Sequence, residues 1–164
     1  SALVVHRAQF EALVRSIWIA HAASDDHISK LTSTLSLESE QAAKNMPQVA
    51  EMMQDLAKKA PPQAYEALSR FKDNLWKALN SYAHAGIHPI RRHDEGYPLE
   101  LLQDALRNAN GLAVMTCMQA TVLSGQQLLQ RTLLELADKR PTCIPPPLRG
   151  LNLHSSGTGQ QPAR

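Results

Sequence analysis

The chain of 164 residues contains few β-branched and aromatic residues: six Val, six Ile and seven aromatic side chains stand against 23 Leu and 22 Ala. Ala and Leu lose little conformational freedom on entering a helix, whereas β-branched and aromatic residues favour strands. A β-sandwich or a parallel α/β sheet needs many more residues of those kinds in short apolar runs. The composition therefore predicts an all-α protein.

Cysteine, net charge and long apolar runs are also scarce. The only cysteines, Cys117 and Cys143, occur in no metal-binding or redox spacing, so we expect free thiols. The formal net charge of +2 at pH 7 is too small to identify a nucleic acid or membrane partner. The longest apolar stretch, residues 112–123, is shorter than the roughly 20 residues that cross a bilayer as a helix. We expect a cytoplasmic protein with no membrane partner.

Apolar residues recur at helical spacing between short Gly and Pro breaks, which predicts an up-down bundle of about five to six helices. The predicted helices cover residues up to about 23, 26–34, 36–59 as one kinked or two short helices, 62–86, 99–125 and 126–139. The Met-rich region 36–59 is expected to form a lid or side layer. The helix ending near Gly125 is apolar on two faces, so its second half is expected to be the most buried segment.

The last 24 residues differ in composition from the rest. They contain five of the ten prolines and three of the seven glycines, without helical periodicity. We therefore predict two units, a helical domain at residues 1–140 and a disordered Pro/Gly-rich tail at residues 141–164. Within the tail, residues 144–147 are a plain linker or a short proline-rich docking segment.

Polar side chains concentrate on one face of the predicted helix 62–86 and just beyond its end. Opposite the apolar stripe of this helix lie Asp73, Lys77, Asn80 and His84. The segment after the helix adds His88, Arg91, Arg92 and His93. This face is either an ordinary solvated surface or the wall of a cleft in which Asn80 and His84 act. On the first helix, Glu11 and Arg15 have the spacing of a surface ion pair.

Motifs for the common cofactors and nucleophiles are missing from the sequence. His84 and His88 have the spacing of two metal ligands on a helix, but Pro89 disfavours a helical conformation at His88. The Glu-x-x-His pairs typical of metal sites in bundles do not occur. No glycine-rich phosphate loop or Gly-x-Ser-x-Gly elbow is present either. We predict no metal and no other cofactor.

The segment Asn80-Ser81-Tyr82-Ala83-His84 resembles the motif of the HEPN superfamily, the higher eukaryote and prokaryote nucleotide-binding helical domains. In that motif an Arg is followed by a polar residue, three further residues and a His, near the end of a long helix in a four- or five-helix bundle. Asn80 and His84 match the motif, and Leu79 stands in the place of the Arg. The motif covers six residues, while the helical architecture extends the resemblance to residues 1–140.

The resemblance implies a metal-independent endoribonuclease, or an RNA- or nucleotide-binding protein, of a bacterial defence or toxin-antitoxin system that acts as a homodimer. His84 would then be the general acid or base, Asn80 its orienting or phosphate-binding partner, and Arg91 or Arg92 the cation, with Arg15 as another source of positive charge. The remaining residues expected to bind ligand are Lys77, Tyr82 and His88. If no Arg reaches His84, the protein is instead a non-catalytic relative that binds a nucleotide, RNA or a protein partner. The alternative from another class is a helical interaction module without chemistry, which packs against a second subunit or another protein through the polar face of helix 62–86 or the seam of Ala109, Ala113 and Ala120.

Overall fold

The computed structural model describes residues 2–146, and this part of the chain is entirely helical, without a β-strand. It contains the α-helices α1 (Ala2–His21), α2 (Asp25–Thr32), α3 (Leu37–Ala43), α4 (Val49–Lys59), α5 (Pro62–Ala83), α6 (Ile87–Glu95), α7 (Leu99–Leu123) and α8 (Gln127–Asp138), followed by a short 3₁₀-helix, Pro141–Cys143. The all-α prediction is confirmed. Residues 2–146 form eight α-helices, where the sequence predicted five to six.

The first helix is the centre of the packing, because α4, α5 and α7 all lie against it. Its inward face carries a larger share of the core than any other described helix: His6, Phe10, Leu13, Val14, Ile17 and Trp18. These positions recur as 6, 10, 13/14 and 17/18, a spacing of three to four residues that places side chains on one face of a helix. Full burial of each large apolar side chain contributes about 1.5–3 kcal/mol, so α1 fixes the positions of its three neighbours.

Two expectations about burial are corrected by the packing. The Met-rich segment is not a peripheral layer, because Met52, Met53 and Leu56 of α4 are buried against α1. The helix α7 is not the most buried helix, since only Leu112 and Gln119 are buried along its whole length. The helix α7 contacts α1 and α8, and Met115 packs against the core, whereas Leu99, Leu106 and Leu123 remain exposed in the described part of the chain.

A tight turn joins α5 to α6. His84 caps the C-terminus of α5, Ala85 adopts a left-handed conformation with φ +52°, and the Gly86 N–H donates to the Ser81 carbonyl at 2.7 Å. This is a Schellman arrangement, which satisfies carbonyls at the helix end. A Cβ atom at Gly86 would collide with the Ser81 side chain, so only glycine fits there. The turn directs α6 back onto the end of α5.

Residues 141–146 form an ordered segment that we call the strap, where the sequence predicted the start of a disordered tail. The strap packs on α7, and three side chains of α5 and α7 donate hydrogen bonds to its carbonyls. The rest of the predicted tail, residues 147–164, lies outside the described residues. Among the helices of residues 2–146, none is long and apolar enough to cross a membrane.

Candidate functional site

An arginine from α1 contacts the histidine that ends α5. The Nη1 atom of Arg7 lies 2.9 Å from Nε2 of His84, and the contact is exposed to solvent. A guanidinium has donors only, so Nε2 accepts the hydrogen bond and carries no proton in this arrangement. The structure thus places a cation against the imidazole of His84 on an open surface.

Two further side chains hold Arg7 in place. The Arg7 Nε atom donates to Glu11 Oε1 at 2.9 Å, one helical turn along α1. The guanidinium carbon of Arg7 lies over the Trp76 ring, 5.4 Å from the ring centroid, a cation–π contact. Trp76 in turn packs against the buried ring of Phe10, at a centroid distance of 5.6 Å. The position of Arg7 is therefore fixed by the core and by an ion pair together.

His84 and Asn80 lie one turn apart at the C-terminal end of α5. The His84 N–H donates to the Asn80 carbonyl at 3.0 Å, which anchors the backbone of the cap. The half-buried side chain of Asn80 keeps its Oδ1 atom away from solvent and without a hydrogen-bond partner in the described residues. An unpaired buried acceptor costs free energy, so Asn80 Oδ1 is an unsatisfied polar atom near the C-terminal end of α5.

The arginines that the sequence suggested as the cation do not make this contact. Arg92 donates to Glu95 Oε2 at 2.7 Å and to the Gly96 carbonyl at 3.2 Å, so its guanidinium closes the end of α6. Arg91 and Arg15 are exposed, and neither has a hydrogen bond to His84 within residues 2–146. The expected ion pair between Glu11 and Arg15 is wrong, because Glu11 pairs with Arg7.

The other residues expected to bind ligand are spread around the end of α5. Lys77 is exposed, and the rings of Tyr82 and His88 lie 6.0 Å apart between their centroids. Loss of solvent around Tyr82 raises the pKa of its hydroxyl, and the nearby Tyr97 adds to the rise. The phenol therefore stays protonated at neutral pH and acts as a hydrogen-bond donor. His88 is helical after all, since Pro89 occupies the first turn of α6, where no intrahelical N–H bond is lost.

The described residues contain no group of three His, Cys, Asp or Glu side chains placed to hold a metal ion. His84 and His88 are separated by the turn, with His84 capping α5 and His88 in the first turn of α6. The Ser81 hydroxyl accepts from the His88 N–H at 3.1 Å, which fixes the start of α6 relative to α5.

Arg7, Glu11 and Trp76 are the site residues that sequence reasoning missed. A signal for Arg7 exists, because it lies seven and eleven residues before Val14 and Trp18 and therefore shares their helix face within about 20°. Both of those residues are fully buried. An arginine that is in register with core residues and is followed four residues later by a carboxylate is expected to lie at the edge of the core and to pair with that carboxylate.

Residues 1–146 match the family described as a family of unknown function, DUF6988. The match ends at the last residue that the structure describes. No curated protein and no solved structure matches the chain.

Proposed function

We propose, for a chain that belongs to the DUF6988 family, that the pair of Arg7 and His84 is the centre of a metal-independent ribonuclease site of the HEPN-like type. The observation that supports this is the 2.9 Å contact between the guanidinium of Arg7 and Nε2 of His84 on an exposed surface. Arg7 supplies from α1 the cation that the motif lacks at Leu79. The general base, His84, and the cation that stabilises the phosphate charge, Arg7, are then in direct contact.

The proposed reaction begins when a phosphate of single-stranded RNA binds Arg7. The phosphate oxygens take over guanidinium donors, which frees Nε2 of His84. That nitrogen removes the proton of the ribose 2′-OH, the 2′ oxygen attacks phosphorus, and the bond to the 5′ oxygen breaks to leave a 2′,3′-cyclic phosphate. Arg7 stabilises the negative charge that gathers on the phosphate oxygens. The departing 5′ oxygen takes a proton from water or from a second copy's imidazolium.

We also propose that the helices form an up-down bundle, that the protein is cytoplasmic and that it forms a homodimer. An up-down bundle is supported by the packing of α4, α5 and α7 around α1. A cytoplasmic location is supported by Cys117 and Cys143, which are both exposed and unlinked, as suits a reducing compartment. A homodimer is supported by the exposed site, which leaves room for a second His84 to act as the general acid.

The test is cleavage of a labelled single-stranded RNA by the full chain in the presence of a chelator. Wild-type protein is expected to release products with 2′,3′-cyclic phosphate ends. His84→Ala and Arg7→Ala are each expected to lower the cleavage rate about 10²- to 10³-fold, because general base and charge stabilisation contribute on that scale. The double variant is expected to be no slower than His84→Ala alone, since the two residues act as one unit.

The matched control is Arg15→Ala, which removes an exposed arginine from the same helix, two turns away. It is expected to cleave at the wild-type rate. Equal cleavage by wild type and His84→Ala would show that His84 is not needed for the reaction and would contradict the proposal. No cleavage by any form, or an equal loss in Arg15→Ala and Arg7→Ala, would remove the proposal.

A second candidate is a non-catalytic module that self-associates through the groove between α1 and α7. The observation that favours it is Gln119, which is 8% exposed and has no hydrogen-bond partner for Nε2 in the described residues. Gln119 lines an apolar groove of about 430 Å³ together with small side chains that include Ala12, Ala113 and Ala120. A partner carbonyl entering the groove would satisfy this amide.

A further inference from the structure

The strap lies across a cleft between α5 and α7 and is held by its backbone carbonyls. Arg107 Nε donates to the Thr142 carbonyl at 3.1 Å, and Asn110 Nδ2 donates to the Cys143 carbonyl at 2.9 Å. From the opposite wall, Arg70 Nη1 donates to the Pro146 carbonyl at 3.0 Å. Every one of these acceptors is a main-chain group. The cleft therefore binds an extended chain in a way that depends little on its side chains.

The cleft also has a seat for a proline ring. Pro145 packs so closely on Gly111 of α7 that a Cβ atom there would lie 2.9 Å from Pro145 Cδ. The preceding residue, Ile144, is extended, with φ −120° and ψ 161°, the conformation that proline imposes on its predecessor. The apolar floor beneath the strap is formed by Phe71, Leu75, Leu112 and Met115. Gly111 thus has a specific role in admitting the ring.

The strap does not fill this cleft. A cavity of about 590 Å³ remains between the strap, α5 and α7, which is within the range of sites that bind small ligands or side chains. Arg70 has no ion pair in residues 2–146, and its one hydrogen bond there is to the strap. A guanidinium whose single partner is a displaceable carbonyl is available to another chain that presents the same group.

We propose that the cleft between α5 and α7 is a recognition groove for an extended proline-containing segment of another protein, with the strap as its intramolecular stand-in. The partner presents consecutive carbonyls to Arg107, Asn110 and Arg70 and places a proline on Gly111. Domains that bind extended proline-rich chains dock them in aromatic-lined grooves. Here Phe71 is part of the apolar floor, and side chains of α5 and α7 add N–H donors for the carbonyls of the chain. The proposal is independent of the Arg7–His84 pair, which lies at the other end of α5.

The test measures binding of a fluorescein-labelled peptide with the sequence of residues 142–147, carrying serine in place of Cys143, by fluorescence polarisation. The full-length double variant Ile144→Gly, Pro145→Gly weakens the strap and leaves the groove intact. It is expected to bind the peptide at least about tenfold more tightly than wild type, because a tethered strap competes at an effective concentration in the millimolar range. Ile144→Gly alone serves the same purpose if the double variant does not unfold cooperatively.

Two substitutions in the strap-weakened chain identify the groove. Gly111→Ala is expected to reduce peptide binding about tenfold or more by occupying the proline seat, although alanine improves the helix. Arg70→Ala is expected to reduce binding by a similar factor through loss of a charge-assisted hydrogen bond. The control Arg131→Ala removes an exposed, ion-paired arginine of α8 and is expected to change nothing.

Peptide binding that is equal in wild type and the strap-weakened chain, or insensitive to Gly111→Ala, would overturn the proposal. A wild-type dimer that dissociates when the strap is weakened would assign the groove to the strap of a second copy, and would overturn the assignment to another protein.

Discussion

The planar guanidinium of Arg7 meets three different partners at once. Its N–H groups donate to Glu11 and to His84, both at 2.9 Å, while its carbon lies 5.4 Å from the centroid of the Trp76 ring. A lysine ammonium has no flat face and no fixed fork of donors, so it cannot make all three contacts together. The geometry of the candidate site at the residue scale therefore depends on arginine specifically, and on the aromatic core that supports it.

A prediction at the residue scale concerns His6. Its ring is buried edge-on against Phe71, with centroids 5.4 Å apart, and burial lowers the pKa of His6 below 6.5, partly offset by the Asn108 backbone. The unfolded chain therefore binds this proton more readily than the folded chain. Stability from neutral His6 is fully present above about pH 6.5 and is lost as the pH falls through the folded-state pKa.

The measurement is the free energy of unfolding from urea titrations between pH 7.5 and pH 5. Wild type is expected to lose stability over this interval, and His6→Phe to lose less, because a buried phenyl ring does not titrate. His93→Gln, which changes an exposed histidine of α6, is expected to follow the wild-type curve. Parallel curves for wild type and His6→Phe would show that His6 does not determine the pH dependence.

At the scale of elements, the sequence predicts the long helices well and the short joints poorly. The stripe of Phe10, Val14 and Ile17 predicts α1, since a repeating apolar pattern needs no knowledge of neighbours. The helix α6 is missed because Pro89 usually ends a helix, and only its position in the first turn makes it compatible with one. The strap is missed because its stability comes from side chains of α5 and α7, far away in sequence.

The turn between α5 and α6 carries an element-scale prediction. Ala85 has φ +52°, a left-handed conformation that costs a residue with a Cβ atom about 1–2 kcal/mol. Ala85→Gly relieves this cost and adds backbone entropy to the unfolded chain, so a net stabilisation of about 0.5–1 kcal/mol is expected. In a thermal melt this corresponds to a rise in Tm of about 1–4 °C.

The control for this substitution is two residues earlier in the chain. Ala83 is the last residue of α5, so Ala83→Gly is expected to lower Tm through the poor helix propensity of glycine. A decrease in Tm for both variants would show that the left-handed conformation of Ala85 costs nothing.

At the scale of the whole molecule, the described helices α7 and α8 leave many apolar side chains uncovered. All residues of α8 are at least partly exposed, and α7 and α8 together expose Leu99, Leu101, Leu102, Leu106, Val122, Leu123, Leu128, Leu129, Leu134 and Leu136. Apolar patterning predicts that such faces are buried, but it does not say whether the covering surface belongs to the same chain. This is why α7 was expected at the centre of the core, whereas α1 occupies that place.

The groove between α1 and α7 is a separate candidate surface for self-association, and Leu123 is the one exposed apolar residue of this set that lines it. Its small side chains allow a second helix to approach closely, and Gln119 Nε2 would gain an acceptor whose absence costs about 1–3 kcal/mol. Wild-type protein is expected to sediment at about twice the chain mass of 18.1 kDa. Ala120→Glu places a charge in the groove and is expected to yield monomers, whereas Ala43→Glu, on an exposed position of α3, is expected to leave the dimer intact.

A wild-type monomer at all concentrations, or dimers that persist in Ala120→Glu, would exclude this groove as the interface. Monomers that still cleave RNA would further show that Arg7 and His84 act within a single chain.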